Sequence, residues 1–503
     1  MKYATFSSSG RSRKTLRRSL DANSGWWVQF GDDLFVYAAN AKWAAVSEAM
    51  GARDARQPQG DVRKSALHLV VQKGRTFQQE HPDVPVLFDK GRYLVVDLAP
   101  AAARKLRHDD EVCFDILPLR ENAVVFESFD KGRAGPQPAA AASVVAQVAE
   151  SRFAARLAHL VSYPTRFSTS SGYAEAAAWA EAELAAMGYV TRQEPVAMPG
   201  GGASSNVIAT KTGQGADRKE LIVVAHLDSV NHPGGPPAPA PGADDNASGS
   251  AGLLELAEVC AGLNQAHDLT LILFGGEEQG LHGSRQYVAG LSAAARQRIA
   301  GVLNMDMIGS VNATPPAVLL EGAALSQAQI DALAASAVAH TGLEVQTSLN
   351  PFASDHVPFI EAEIPAVLTI EGADSANDAI HTANDTLDRV DTGFATEILR
   401  MNAGYLAVAL EASVAVAPDP PQPQPQPQPA GDCGCGCGGG GGCGDGDAAA
   451  QIRQLATHYQ ALMAQYARLG PMGLLTQQDL AAWQGLRQSH DSLLTGLGAR
   501  QGS

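Results

Sequence analysis

The chain has 503 residues, 45% of them hydrophobic, which is more than one ordinary core requires, so two to four folded units are expected. Lys and Arg number 37 against 53 Asp and Glu, a formal net charge of −16. Nucleic acid is therefore not an expected partner, because phosphate recognition needs a basic footprint, and no apolar run reaches the length of a membrane span.

Residues 1–24 open with MKYATFSSSGRSRKTLRRSL, basic and Ser-rich, without the apolar stretch of a secretory signal. A disordered basic tail and a cytoplasmic location are the expectations. Residues 25–134 read as a small α+β domain, with strands over 26–37, 67–72, 92–97, 111–117 and 123–127 and helices over 39–50 and 99–107. It carries no cluster of His, Cys or carboxylates at ligand spacing, and reads as an accessory or prodomain-like unit. A Gly/Pro/Ala linker occupies 131–142.

The pattern changes over residues 143–417. Helical stretches at 143–162 and 173–187 precede strands at 189–194 and 206–212. Four short apolar runs follow, at 221–225, 269–274, 301–305 and 366–370, separated by helix-period segments at 249–263, 284–298 and 326–341. Runs of this kind are strands buried on both faces, and the alternation predicts an α/β three-layer sandwich around a mostly parallel mixed sheet. Residues 418–447 pass from a Pro/Gln spacer into a Gly/Cys tract, and 448–503 read as a helical hairpin with Ile452, Leu455, Tyr459 and Leu462 on one face. Cys433, Cys435, Cys437 and Cys443 share that tract, where a flexible linker is weighed against soft-metal chelation. Cys113 and Cys260 read as small core residues. Oligomeric state is not legible.

Ligands in such sheets collect at the carboxyl ends of the strands. His226 and Asp228 follow the first apolar run, and Glu277 and Glu278 follow the second after two glycines. Asp306 directly follows the third, and His381 follows the fourth after a loop. Asp244 stands in a Gly-rich turn, GADDNASG, that opens a helix. Each residue alone is commonplace: an ordinary histidine, a solvated acid pair, a loop cap. Two histidines and several carboxylates at equivalent strand ends suit zinc or a similar divalent ion. A dinuclear site needs about five protein ligands, one of them a bridging carboxylate.

Six ordered stretches, AHLDS, GADDNASG, GGEEQGLHGS, NMDMIG, SDHVPF and IHTANDT, resemble the co-catalytic zinc aminopeptidases, the family of bacterial leucyl aminopeptidases and glutamate carboxypeptidase-like peptidases. The resemblance covers roughly residues 145–415 and is silent on the rest of the chain. It implies two Zn2+ per chain, with His226 and Asp306 on one, Glu278 and His381 on the other, and Asp244 as the bridge. It also implies a cis peptide between Asp244 and Asp245, Glu277 as general base and Asp228 as the acceptor that holds the His226 imidazole. The residues alone do not decide which of Glu277 and Glu278 ligates.

The activity implied is an exopeptidase, hydrolysing N-terminal peptide bonds of a peptide substrate with a free N-terminus through a metal-bridged hydroxide. One departure stands out: Ile380 precedes the final histidine where some relatives carry Tyr, which leaves oxyanion stabilisation unassigned. Ser354-Asp355-His356 reads as support for the ligands rather than as a nucleophile. His282 reads as structural, and His232, in a Pro-rich insertion over 231–241, as a surface residue. Glutaminyl cyclisation on one zinc, hydrolysis of other amides, and a metal-free binding module are the rival readings.

Overall fold

A segment that is apolar at nearly every position has no face to give to water, and it is stable only between two covering layers. In the computed structural model, which describes residues 1–7, 13–50, 59–106 and 113–414, the four apolar runs meet that requirement. Asp268–Phe274, Glu220–His226, Ile299–Met305 and Ala366–Glu371 lie side by side in that order, all parallel. Val223, Leu271 and Leu303 face one layer, which includes Gly249–Ala261, Gln327–His340 and Thr392–Ala409. Ile222, Val224 and Ile272 face the other, beneath His282–Gly290 and His356–Glu361. The period-2 alternation of side chains thus divides one sheet between two cores.

Antiparallel strands Ala203–Lys211 and Val190–Ala197 extend one edge. On the other side Ala317–Gly322 pairs antiparallel with Ala366–Glu371, and Glu344–Ser348 runs parallel to it. The three-layer α/β fold around a mixed sheet is as expected; its four central strands are parallel, but antiparallel pairings outnumber parallel ones over the whole sheet. The helix expected over 284–298 is instead two, His282–Gly290 and Ala293–Arg298: the backbone turns extended at Leu291, and Ser292 caps the second by accepting from the Ala295 N–H.

The N-terminal region departs further from expectation. Residues expected as a disordered tail form a strand, Lys2–Ser7, and a helix, Arg13–Ala22, whose Leu16 and Leu20 bury against Trp27 and Val46. Lys14 and Arg18, among the charged residues that suggested disorder, sit on the helix's outer side. The strand expected over 26–37 folds back at Gly31 (φ 61°) into the hairpin Trp26–Phe30 and Asp33–Ala38. Nor is the region independent of the sheet. Ala123–Ser128 pairs with Glu344–Ser348 on one side and Trp26–Phe30 on the other, so the main sheet continues to thirteen strands. The expected linker is partly helical, with Ala139–Val145 beginning inside it.

A second sheet of four antiparallel strands, Val86–Lys90, Tyr93–Asp97, Leu67–Gln72 and Phe114–Pro118, stands apart from the main one. Arg92, beside it, is pinned to the body. Its guanidinium pairs with Glu321 through Nε (3.1 Å) and Nη2 (3.0 Å) and with Asp374 through Nη1 (2.9 Å), all buried. Removing one partner of a buried pair strands the others. Arg92→Ala is expected to lower unfolding free energy by about 3–5 kcal/mol, read by chemical denaturation. The Pro/Gln and Gly/Cys tract and the expected helical hairpin lie outside the described residues.

Candidate active site

The site is assembled at the carboxyl ends of the parallel strands. His226 is the last residue of its strand, and Asp306 directly follows Met305 at the end of the next. Glu277 and Glu278 lie on a turn past Phe274, and His381 on a loop past Glu371, at φ 56°. Strain of this kind persists where the surroundings over-determine the backbone.

Between the two histidines stands one carboxylate, and it belongs to Asp245. His226 Nε2 is 3.2 Å from Asp245 Oδ1, and His381 Nε2 is 3.0 Å from Asp245 Oδ2. On the first side Asp306 Oδ1 lies 3.3 Å from His226 Nε2. On the second, Glu278 Oε2 lies 3.1 Å from His381 Nε2. Asp244, expected in the middle position, points the other way. Its carboxylate accepts from the Gly309 N–H (2.8 Å), Ser310 Oγ (2.6 Å) and Asn377 Nδ2 (2.8 Å). The cis peptide also falls one residue later than expected, at Asp245–Asn246.

The turn that aims Asp245 is held from every side. Gly242 takes φ 51°, and a Cβ there would sit 2.5 Å from the Asp245 carbonyl oxygen and from Ser229 Cβ, so only glycine fits. The buried Arg166 side chain donates to the main-chain carbonyls of Leu227, Pro241 and Gly242. Asp385 accepts from the N–H groups of Asp244 and Asp245, both at 2.9 Å. Asn246 donates to the Met305 carbonyl and accepts from the Gly249 and Met307 N–H groups. It thereby fixes Asp245 relative to Asp306. Ser354 Oγ donates to Asp306 Oδ2 at 2.6 Å, in keeping with a supporting role.

Asp228 acts on a different partner from the one expected. His226 Nδ1 meets the Asp228 main-chain carbonyl at 3.2 Å, while the Asp228 carboxylate is 3.7 Å away. That carboxylate accepts from the Glu277 N–H (3.3 Å) and the Glu278 N–H (3.2 Å), so it shapes the acidic turn. Asp228→Ala is expected to weaken divalent-metal binding about 10–100-fold, measured by competition against a chelator.

Two contacts come from the N-terminal region. Lys73 Nζ lies 3.0 Å from Glu277 Oε1 and 3.8 Å from Asp306 Oδ2. Burial works to discharge this lysine, but Glu277, Asp306, Asp245 and Glu278 hold its ammonium well above the ordinary range. Cys113 Sγ lies 3.8 Å from His232 Nε2 and 3.9 Å from His381 Nδ1. Burial raises the Cys113 thiol, and its contacts with the two histidines more than offset that, bringing it down to about 6. Cys113, expected as a small core residue, is instead half-buried against the two histidines, and Lys73 did not stand out in the sequence. Lys73 shows there only as a lone lysine after an apolar strand.

The donor set fits a divalent metal. Both Asp245 oxygens, Glu278 Oε1 and His381 Nε2 are buried and make no hydrogen bond, although the imidazole nitrogens approach Asp245 closely. Buried carboxylate oxygens are costly unless paired or coordinated. Four carboxylates against two imidazoles and the single Lys73 ammonium still leave an excess of negative charge for a further cation to balance. His226 groups within ligand reach with Glu277 and Asp306, and again with Asp245 and Glu278.

A model of peptidase family M28 matches residues 206–406, which contain every one of these metal-ligand candidates. This part of the chain is similar to peptidase family M28. The chain is 34% identical over 206 residues to leupeptin-inactivating enzyme 1 of Streptomyces exfoliatus, covering 41% of this chain and 44% of that protein. It is 29% identical over 191 residues to aminopeptidase YwaD of Bacillus subtilis, covering 37% of this chain and 40% of that one. The chain thus spans less than half the length of these relatives. The solved structure of LapB from Legionella pneumophila is 18% identical and overlays with a TM-score of 0.50, covering 68% of this chain and 99% of that chain. The fold shared with that structure therefore extends beyond the matched segment. No helix among the described residues is long and apolar enough to cross a membrane.

Proposed function

We propose that the chain is a zinc-dependent aminopeptidase with two metal positions sharing the Asp245 carboxylate. His226 and Asp306 complete one position, and Glu278 and His381 the other. The observation that carries the reading is Asp245 itself, which offers one unpaired oxygen to each histidine. When bound, zinc would supply Lewis-acid polarisation of the scissile carbonyl and lower the pKa of a water towards about 7.

The chain's own groups do the rest. Glu277 Oε2 lies 3.9 Å from His226 Nε2, beside the ligands but not between them, where a carboxylate can take a proton from water and deliver it to the leaving amine. Asp228 fixes the turn from which Glu277 and Glu278 diverge, so one side chain serves as base while its neighbour ligates. The low exposure of the ligands keeps bulk water away from the reacting atoms, which strengthens each electrostatic contact. A peptide with a free N-terminus is the substrate favoured by the aminopeptidases among the relatives.

Metal analysis with an activity assay tests the reading. About two zinc ions per chain, with hydrolysis of aminoacyl-nitroanilides lost on chelation and restored by zinc, is the expected result. One zinc with cyclisation of N-terminal glutamine would transfer the site to an acyl-transfer chemistry, and no bound metal would make it a binding module.

A further inference from the structure

The N-terminal region occupies the space in front of the proposed base. Lys73 follows strand Leu67–Gln72 of the four-stranded sheet and reaches into the main domain until its ammonium meets Glu277 at 3.0 Å. Its backbone is braced: the Lys73 N–H donates to the Cys113 carbonyl (2.8 Å), and Thr76 Oγ1 donates to the Lys73 carbonyl (2.8 Å). Gly74, at φ 52°, lies so close to Ile380 that a Cβ there would be 3.1 Å from Ile380 Cδ1. Cys113, just before strand Phe114–Pro118, covers the outer nitrogen of His381.

The consequence is closure. With Lys73 and Cys113 in place Glu277 is 4% exposed, Asp245 2% and Lys73 itself 7%. A peptide presenting its scissile bond to Glu277 would need the volume that the lysine side chain fills. It would also meet a base already engaged on one side, since the Lys73 ammonium bonds Glu277 Oε1 and leaves only Oε2 facing His226. Arg92 holds the same sheet against Glu321 and Asp374, so the covering loops are anchored rather than loosely apposed.

We propose that the four-stranded sheet is a built-in inhibitor, whose Lys73 side chain, at the end of Leu67–Gln72, lies across Glu277 and must withdraw before a peptide can bind. The inference rests on the aminopeptidase reading for what is inhibited, but the obstruction is geometric and can be tested apart from turnover. Closed and open arrangements of the loop then set the apparent activity, since only the open fraction binds substrate. A lysine that served turnover instead, as a donor to the developing oxyanion, would be needed for activity rather than opposed to it.

The test compares full-length wild type with Lys73→Ala, both zinc-loaded and checked for folding by circular dichroism. Two readouts are taken: kcat/KM on aminoacyl-nitroanilides, and the rate at which a colorimetric chelator strips the zinc. The inhibitor predicts that both rise in Lys73→Ala, each by about tenfold or more. Faster stripping with no hydrolysis in either protein would uphold the obstruction and remove the aminopeptidase reading. Unchanged stripping, or a fall in kcat/KM beside faster stripping, would overturn the inference.

Discussion

Glu277→Gln is expected to abolish nearly all turnover while leaving the zinc in place. The substitution keeps the side chain's size, and Glu277 is not among the groups that flank Asp245, so the metal positions keep their ligands. What disappears is the proton acceptor. General-base catalysis contributes about 10²–10⁴-fold, and a fall of that order in kcat is the predicted result. The comparison is cleanest in a Lys73→Ala background, because Glu277→Gln on its own would also release the lysine that the carboxylate now pairs with. Near-normal turnover with full zinc content would show that another group takes the proton.

Asp245→Asn is expected to cost both metals. An amide has one oxygen where the carboxylate has two, and here the two face different histidines. Zinc content should fall from about two ions per chain to nearly none, with activity falling in step. Asp244→Asn, one residue away, is expected to keep its zinc. Its cost is of another kind: the carboxylate accepts from Gly309, Ser310 and Asn377, and an amide would set an N–H against one of these donors. That mismatch is worth about 1–3 kcal/mol, seen as lower stability and up to about 100-fold weaker metal affinity. Inductively coupled plasma analysis of the two variants side by side separates these outcomes. Loss of both metals from Asp244→Asn alone would reverse the assignment.

The contrast between these two aspartates marks where reading from sequence stops. Apolar runs such as LIVVA and LTLILF announce buried parallel strands, because burial on both faces leaves no polar alternation, and the strand-end rule then gathers His226, Glu277, Glu278, Asp306 and His381 at one edge. All five come together there. Asp244 and Asp245 are chemically identical and adjacent, and what separates them is the backbone path of one turn. That path is set by Gly242, Arg166, Asn246 and Asp385, which are scattered along the chain. Lys73 is less legible still, since 204 residues separate it from its partner Glu277. Composition misled at the N-terminus: Arg13–Ala22 is rich in charge, yet Leu16 and Leu20 give it one buried stripe. The four-stranded sheet was visible strand by strand, apart from Val86–Lys90, but its place over the site depends on Arg92 finding Glu321 and Asp374.

One measurement reaches the central claim most directly. A short peptide with a free N-terminus and the same peptide N-acetylated are incubated with the zinc-loaded full-length protein carrying Lys73→Ala, and the products are read by mass spectrometry. A two-metal aminopeptidase centred on Asp245 should release the N-terminal residue from the free peptide alone, and lose that activity when Asp245→Asn is added. Cleavage of the acetylated peptide at the same rate, or removal of the N-terminal residue that survives Asp245→Asn, would contradict the account.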